Sequence, residues 1–393
     1  MSSAYLTLLV TTAIQALVAL GSAAVPVLAP AAAQELGFET SLVGFFVGAM
    51  YIGASFSALV AGGLVLRYGS IRISQVCLVL GAAAMLLLTV VPLAAAPLVA
   101  ILLGASYGPI TPASSHVLAR TTPPHMMGLM FSIKQTGVPM GAALAGLIVP
   151  PLTLGFGWRS AALVVAVLCL TMACVAQISR RELDADRDPR RRLAWRSLAL
   201  PFRLIFADPA LVRNAATALA YAGLQISFFT YIVVYLTHDF GHTLVAAGLA
   251  LSLANLGGIG GRIFWGWIAD RTRAPRMVLG LLGLAMACAA IATASFGAGW
   301  PYPVMLAVCM AFGITAVGWN GVMISEMARL APPGMAGVVS GGTTFMMFFG
   351  VVFYPPLFSL LHSGFDSYRL PFVLFAAPAL IMGVVQLVYA RRR

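Results

Sequence analysis

What this chain lacks most is charge. Only 9% of its 393 residues are Asp, Glu, Lys or Arg, where a soluble domain carries roughly 25% to keep its surface in water. That shortage excludes a soluble enzyme or binding module of this length. Acid is scarcer than base, 11 residues against 23. Lysine is nearly missing: 22 of the basic residues are arginine and Lys134 stands alone. Cysteine is sparse as well. Cys77, Cys169, Cys174, Cys288 and Cys309 all fall inside apolar runs, and none has a C-x-x-C partner. This excludes a disulfide framework and a thiolate metal site. No nucleotide-binding motif supports a primary pump. No nucleophile–base set or metal cluster lies at one depth, so neither an enzyme nor a cofactor is indicated.

What is plentiful is apolar surface, with hydrophobic residues at 61% and a mean hydropathy of +0.97. A bilayer core about 30 Å thick takes ~20 apolar residues per helix. Windows of that kind fall at 5–29, 41–66, 73–92, 97–119, 126–150 and 160–178, then at 210–236, 243–268, 277–297, 303–328, 337–361 and 370–390. The expected fold is all-α and integral to the membrane, with twelve transmembrane helices in two pseudo-symmetric six-helix halves. The first half is 1–178, a cytoplasmic linker covers 179–209, and the second half is 210–393. The first span opens at Tyr5 with no basic n-region or cleavage site, and reads as a retained helix.

Arginine sets the expected orientation. With both termini cytoplasmic, the inner loops hold 19 of the 23 basic residues, and the outer loops only Arg159 and Arg369. The same alternation explains the net charge of +12 without a nucleic-acid-binding face, which would need the arginines on one folded surface. A functional monomer in a bacterial inner membrane is expected. Within the linker, Trp195, Leu198 and Phe202 lie among Arg196 and Arg203. That stretch reads either as a short helix on the inner membrane surface or as a solvated connection.

The halves repeat each other. ARTTPPHMMG (119–128) and ARLAPPGMAG (328–337) agree at six of ten positions at an offset of 209. Gly62, Arg67 and Arg72 of GGLVLRYGSIR match Gly266, Arg271 and Arg276 of GWIADRTRAPR at an offset of 204. Parallel duplication of six-helix halves is a transporter architecture.

On these features the chain resembles the major facilitator superfamily over its whole length. GWIADRTR (266–273) is similar to that family's signature loop G-x-x-x-D-R-x-G-x-R/K, with Arg273 in the place of its glycine. The resemblance implies a latch role for Asp270 and Arg271. In the first copy, beside Arg67, Leu66 stands where the acid belongs.

A charge in hydrocarbon costs several kcal/mol and usually faces a cavity or a partner. Those expected inside spans are Lys134, Arg262 and, near an inner end, Glu326; His116 is a weaker polar addition. Lys134 precedes Gly137 and Gly141, a face able to pack on another helix or to leave room for a substrate. Snorkelling and a structural ion pair are its other readings. The pattern G-R-x-x-x-G-x-x-x-D-R around Arg262 resembles span 8 of oxalate–formate exchangers and monocarboxylate transporters. That likeness implies that Arg262 binds a substrate carboxylate, for which a planar guanidinium fork is suited. Gly258 stands where monocarboxylate transporters place an aspartate. An ion pair with Glu326 is the alternative for Arg262. Glu326 reads as an inner-gate residue pairing with Arg67 or Arg271, or as a proton carrier. His116 reads as a proton-handling residue or as a structural one.

Two cations, one per half, with no mid-membrane carboxylate, point to an anionic substrate that bridges Lys134 and Arg262 in the closed state. In the resembled fold, spans 1, 4, 7 and 10, flanked by 2, 5, 8 and 11, line the cavity. Gln15, Tyr51, Tyr107, Gln135, Tyr221, Gln225, Asn255, Trp319, Asn320 and Thr343 are therefore the candidates to orient substrate, or else to bond between helices. The pair His238 and His242 in HDFGH is too short a motif to indicate zinc.

The expected function is secondary active transport of a small organic anion, a carboxylate first, by alternating access with proton symport or anion exchange. The expected partners are that anion, protons and the lipid bilayer, with no nucleic acid. Two alternatives stand beside it. A proton-driven drug or metabolite exporter of the same superfamily has a G-P element in span 5, where this chain has Val138–Pro139 and Lys134 replaces a glycine. A non-transporting membrane sensor is the other.

Overall fold

A computed structural model describes residues 3–90, 92–123, 127–188, 190, 200–332 and 336–390. The helices run α1 (Ser3–Leu36), α2 (Val43–Tyr68), α3 (Ser70–Leu88), α4 (Ala96–Tyr107), α5 (Ile110–Thr121), α6 (Met127–Gln135), α7 (Gly137–Phe156) and α8 (Trp158–Leu183). They continue as α9 (Leu200–Ala207), α10 (Pro209–His238), α11 (Leu244–Thr272), α12 (Pro275–Ala294), α13 (Tyr302–Leu330), α14 (Ala336–Phe365) and α15 (Arg369–Ala390). Twelve helical stretches among the described residues are long and apolar enough to cross a membrane. Helix is what such a sequence must adopt, because hydrocarbon offers no partner for a free backbone N–H or C=O. Several helices outrun their apolar windows: α1 continues past Pro26 and Pro30 to Leu36. The backbone ladder does not stop where hydropathy falls.

Two spans are broken. α4 and α5 form one membrane-length stretch interrupted at Gly108–Pro109. Pro109 and Pro112 each remove a ladder donor there. α6 and α7 are separated at Thr136, whose N–H reaches only to the Ile133 carbonyl at 3.0 Å. The cause lies three residues on. Pro139 has no N–H for the Gln135 carbonyl four positions earlier, and its ring crowds that carbonyl.

By contacts the chain divides into two compact units, Met1–Thr40 with Ala49–Ala194, and Ser41–Gly48 with Trp195–Arg393. Each uses the same pairings. In the first, α1 packs on α7 and α3 on α8; in the second, α10 packs on α14 and α12 on α15. Glycine permits these approaches: a Cβ at Gly141 would overlap the Ala16 carbonyl, and one at Gly137 would lie 2.9 Å from the Thr12 carbonyl. In the second unit Gly261 and Gly313 do the same between α11 and α13. Of the glycines around Arg262, Gly257, Gly258 and Gly261 thus serve helix packing, whereas Gly260 and Gly266 face open space. Ser41–Gly48 is held by the Tyr231 hydroxyl, which donates to the carbonyls of Ser41 (3.0 Å) and Pro355 (2.8 Å). The centres of the two repeated loops, 124–126 and 333–335, and the linker residues Trp195, Arg196 and Leu198 lie outside the described residues. Of the linker's apolar set, Phe202 sits on α9, edge-on to Phe345 of α14 at 5.0 Å, with Ile205 buried beside it.

Candidate functional site

In the first unit both helix breaks converge on α1. Tyr107, Ile110 and Thr111 flank the α4–α5 break and Val138 follows the α6–α7 break. With Gln15 and Val18 of α1 they line a narrow crevice. Discontinuous helices are where membrane transporters place polar backbone and side chains at depth. Tyr51 lies edge-on to Tyr107, ring centres 5.9 Å apart.

Lys134 ends the first of the two broken segments and has no accessible surface. Its Nζ donates to Gln135 Oε1 at 3.2 Å, and the same oxygen accepts from Gln15 Nε2, also at 3.2 Å. One donor of the ammonium is thus spent on the neighbouring amide. Gln15 is 2% exposed, and its Oε1 has no hydrogen-bond donor. A buried acceptor left so costs about 1–3 kcal/mol.

In the second unit Gln225 Oε1 accepts from Trp319 Nε1 at 3.0 Å and, at 3.5 Å, from Asn320 Nδ2. Trp319 lies edge-on to Tyr221 at 5.8 Å. Three candidates bond to backbone carbonyls. The Tyr221 hydroxyl donates to the Leu279 carbonyl at 2.8 Å, tying α10 to α12. Asn255 and Thr343 each donate to the carbonyl four residues earlier, Leu251 and Val339, at 2.9 Å. Arg262 is half-buried on α11.

All eleven carboxylates occupy helix ends or connections. Two networks gather them. In the second unit Glu326, fully buried, receives Arg276 Nε at 2.7 Å and both Arg329 Nε and an Arg329 terminal nitrogen at 2.8 Å. This corrects the expected pairing with Arg67 or Arg271, and removes Glu326 as a counter-ion for Arg262. Arg276 reaches it because the first turn of α12 abuts α13, and Arg329 because it lies one turn along the same helix. Asp270 and Arg271 are exposed and form no ion pair among the described residues. The Arg67 guanidinium lies 5.3 Å from the Tyr68 ring.

The first unit builds its network on a segment that the sequence did not single out. The strap Leu183–Asp188 follows α8 and carries acids at 184, 186 and 188. Asp184 accepts from the backbone N–H groups of Ile71 (2.8 Å) and Arg72 (3.0 Å) at the start of α3. Burial pushes its carboxyl above the usual range, and those two N–H groups only partly oppose this. Asp186 meets His116 Nε2 at 2.6 Å and pairs with Arg120. Burial raises its carboxyl too, but the His116 hydrogen bond and the Arg120 charge outweigh it and hold Asp186 low. The Asp188 N–H donates to the Leu66 carbonyl at 2.9 Å, at the position that lacks the acid. Alternate acids in an otherwise basic linker were the available signal.

At another end of the second unit His238, Asp239, His362, Asp366, Ser367 and Arg369 line an open polar pocket. No group of three metal-ligating side chains is assembled among the described residues.

Comparison with known proteins places these features. The gentisate transporter of Corynebacterium glutamicum is 26% identical over 305 residues, covering 73% of this chain and 65% of that protein. The 4-hydroxybenzoate transporter PcaK of Pseudomonas aeruginosa is 28% identical over 302 residues, covering 67% of this chain and 66% of that protein. The chain thus spans less than two thirds of these relatives' length. A bacterial homologue of the human lysosomal transporter Spinster shares the fold, with a TM-score of 0.80 at 16% identity over 99% of this chain and 97% of that one. Residues 11–350 match the model of the Major Facilitator Superfamily, and with twelve membrane-length helices in two similarly paired units the chain belongs to that family.

Proposed function

We propose that the protein is a secondary active transporter that carries a small organic anion, a carboxylate, by alternating access, with proton symport or anion exchange as the coupling. The observation that carries this is the charge placement. Every carboxylate lies at a helix end or in a connection, while Lys134 lies at the break between α6 and α7 and Arg262 within α11, both in stretches apolar enough to cross a membrane. A membrane interior that keeps cations and no mid-span acid favours an anion as the neutralising partner. The relatives named for gentisate and 4-hydroxybenzoate support the same class. In this reading Lys134 supplies positive charge through Gln135, and Arg262 offers its guanidinium to a carboxylate. The arginine distribution supports cytoplasmic termini.

The test is uptake and counterflow of radiolabelled carboxylates in proteoliposomes. Arg262→Ala and Lys134→Ala are expected to lose at least about tenfold in kcat/KM, the loss of one charge-assisted contact. Wild-type uptake by either variant rejects that residue's role. Transport of cations with no response to carboxylates rejects the reading itself.

A further inference from the structure

The amides beside Lys134 are oriented by it. An ammonium only donates, so the atom of Gln135 that meets Lys134 Nζ at 3.2 Å must be the carbonyl oxygen. That same oxygen faces Gln15 at 3.2 Å, so the Gln15 atom turned toward it must be the amide nitrogen. The remaining Gln15 atom is then necessarily an acceptor. It is buried, on a side chain 2% exposed, and no described group donates to it. Gln15 lines the crevice between the two helix breaks, together with Tyr107 and Thr111. A buried acceptor is complementary to one thing, a donor brought by something else.

We propose that Gln15 Oε1 accepts a hydrogen bond from a hydroxyl of the transported anion, so that the substrates are hydroxylated carboxylates. Lys134 is then a positioning residue: through Gln135 it fixes which way the Gln15 amide points. The hydroxyl reaches the crevice as the segments on either side of Gly108–Pro109 and Thr136 spread, since these breaks lack part of the ladder that would hold them rigid. The inference rests on the anion-transport reading above and adds to it the group by which substrates are sorted.

The experiment compares matched acids on the reconstituted full-length chain: benzoate against its three monohydroxylated isomers, and propionate against lactate. Wild type is expected to favour the hydroxylated member of at least one pair by about tenfold or more in kcat/KM, since a site built around a buried acceptor rejects a ligand that leaves it unpaired. In Gln15→Leu that ratio falls toward one. Lys134→Met and Gln135→Leu lower it too, whereas Lys134→Arg, still a donor-only cation, preserves it. Ligand-induced thermal stabilisation of purified protein gives the same ratio for any variant too slow to assay. Equal handling of all pairs by wild type, or an unchanged ratio in Gln15→Leu, overturns the hydroxyl assignment and leaves anion transport standing. Failure of wild type to transport or bind any of these acids overturns both.

Discussion

Removing the Asp184 carboxylate is expected to destabilise the first unit far more than a loop substitution ordinarily would. The residue follows α8, yet its two oxygens satisfy the Ile71 and Arg72 N–H groups at 2.8 and 3.0 Å. These are donors that no helical carbonyl reaches, because they lie in the first turn of α3. Asp184→Ala leaves both unpaired in a buried setting, at about 1–3 kcal/mol each, softened where water enters. A total of about 2–4 kcal/mol follows, or roughly 4–16 °C in Tm at the sensitivity usual for 150–250 residues. Asp184→Asn keeps one acceptor but turns an NH2 toward the second N–H, and should fall between. Gly69, which precedes α3, makes the account testable twice. Its φ of 99° and ψ of 153° lie in a region that is essentially glycine-only, at a cost of about 1–3 kcal/mol for other residues. A Cβ there would also overlap the Asp184 carboxyl. In a double-mutant cycle Gly69→Ala should therefore cost less in the Asp184→Ala background than alone, with the backbone part remaining. The assay is fluorescence-detected thermal unfolding in detergent. A Tm for Asp184→Ala within 1 °C of wild type (about the assay's resolution) would refute the capping argument.

Three further outcomes are expected. Glu326→Ala strands Arg276 beside a fully buried position, and should cost about 3 kcal/mol, whereas Arg329→Ala, whose partly exposed guanidinium is the more dispensable arm, should cost about 1 kcal/mol or less. Reversal of that order in thermal unfolding would contradict the geometry. Arg273 ends α11 in the left-handed region at φ 52°, so Arg273→Gly should raise stability by about 1 kcal/mol, seen as a higher Tm. Asp186 has its carboxyl held below the usual value, so its contribution is complete above that value and fades as pH falls through its folded pKa. The Tm gap between wild type and Asp186→Asn should shrink as pH falls below about 4; a gap that widens on acidification would reverse the sign of the argument.

The sequence by itself determined the twelve membrane spans, because ~20-residue apolar runs in a nearly charge-free chain leave the backbone no other way to satisfy itself. It also determined the family, through the repeated loops and GWIADRTR, and it singled out Lys134 and Arg262, since charge inside an apolar run is costly enough to be conspicuous. What it did not determine was what each polar group touches. Hydropathy reports depth along one helix and says nothing of its rotation, so Tyr221, Asn255 and Thr343 looked no different from Gln225, although the first three bond to backbone carbonyls. Only the tertiary structure decided that Glu326 belongs to Arg276 and Arg329, that the segment after α8 caps α3 and pairs with His116 and Arg120, and that Lys134 donates to Gln135. Those outcomes depend on which helices lie side by side, and on two proline-induced breaks meeting at α1, none of which a one-dimensional pattern encodes.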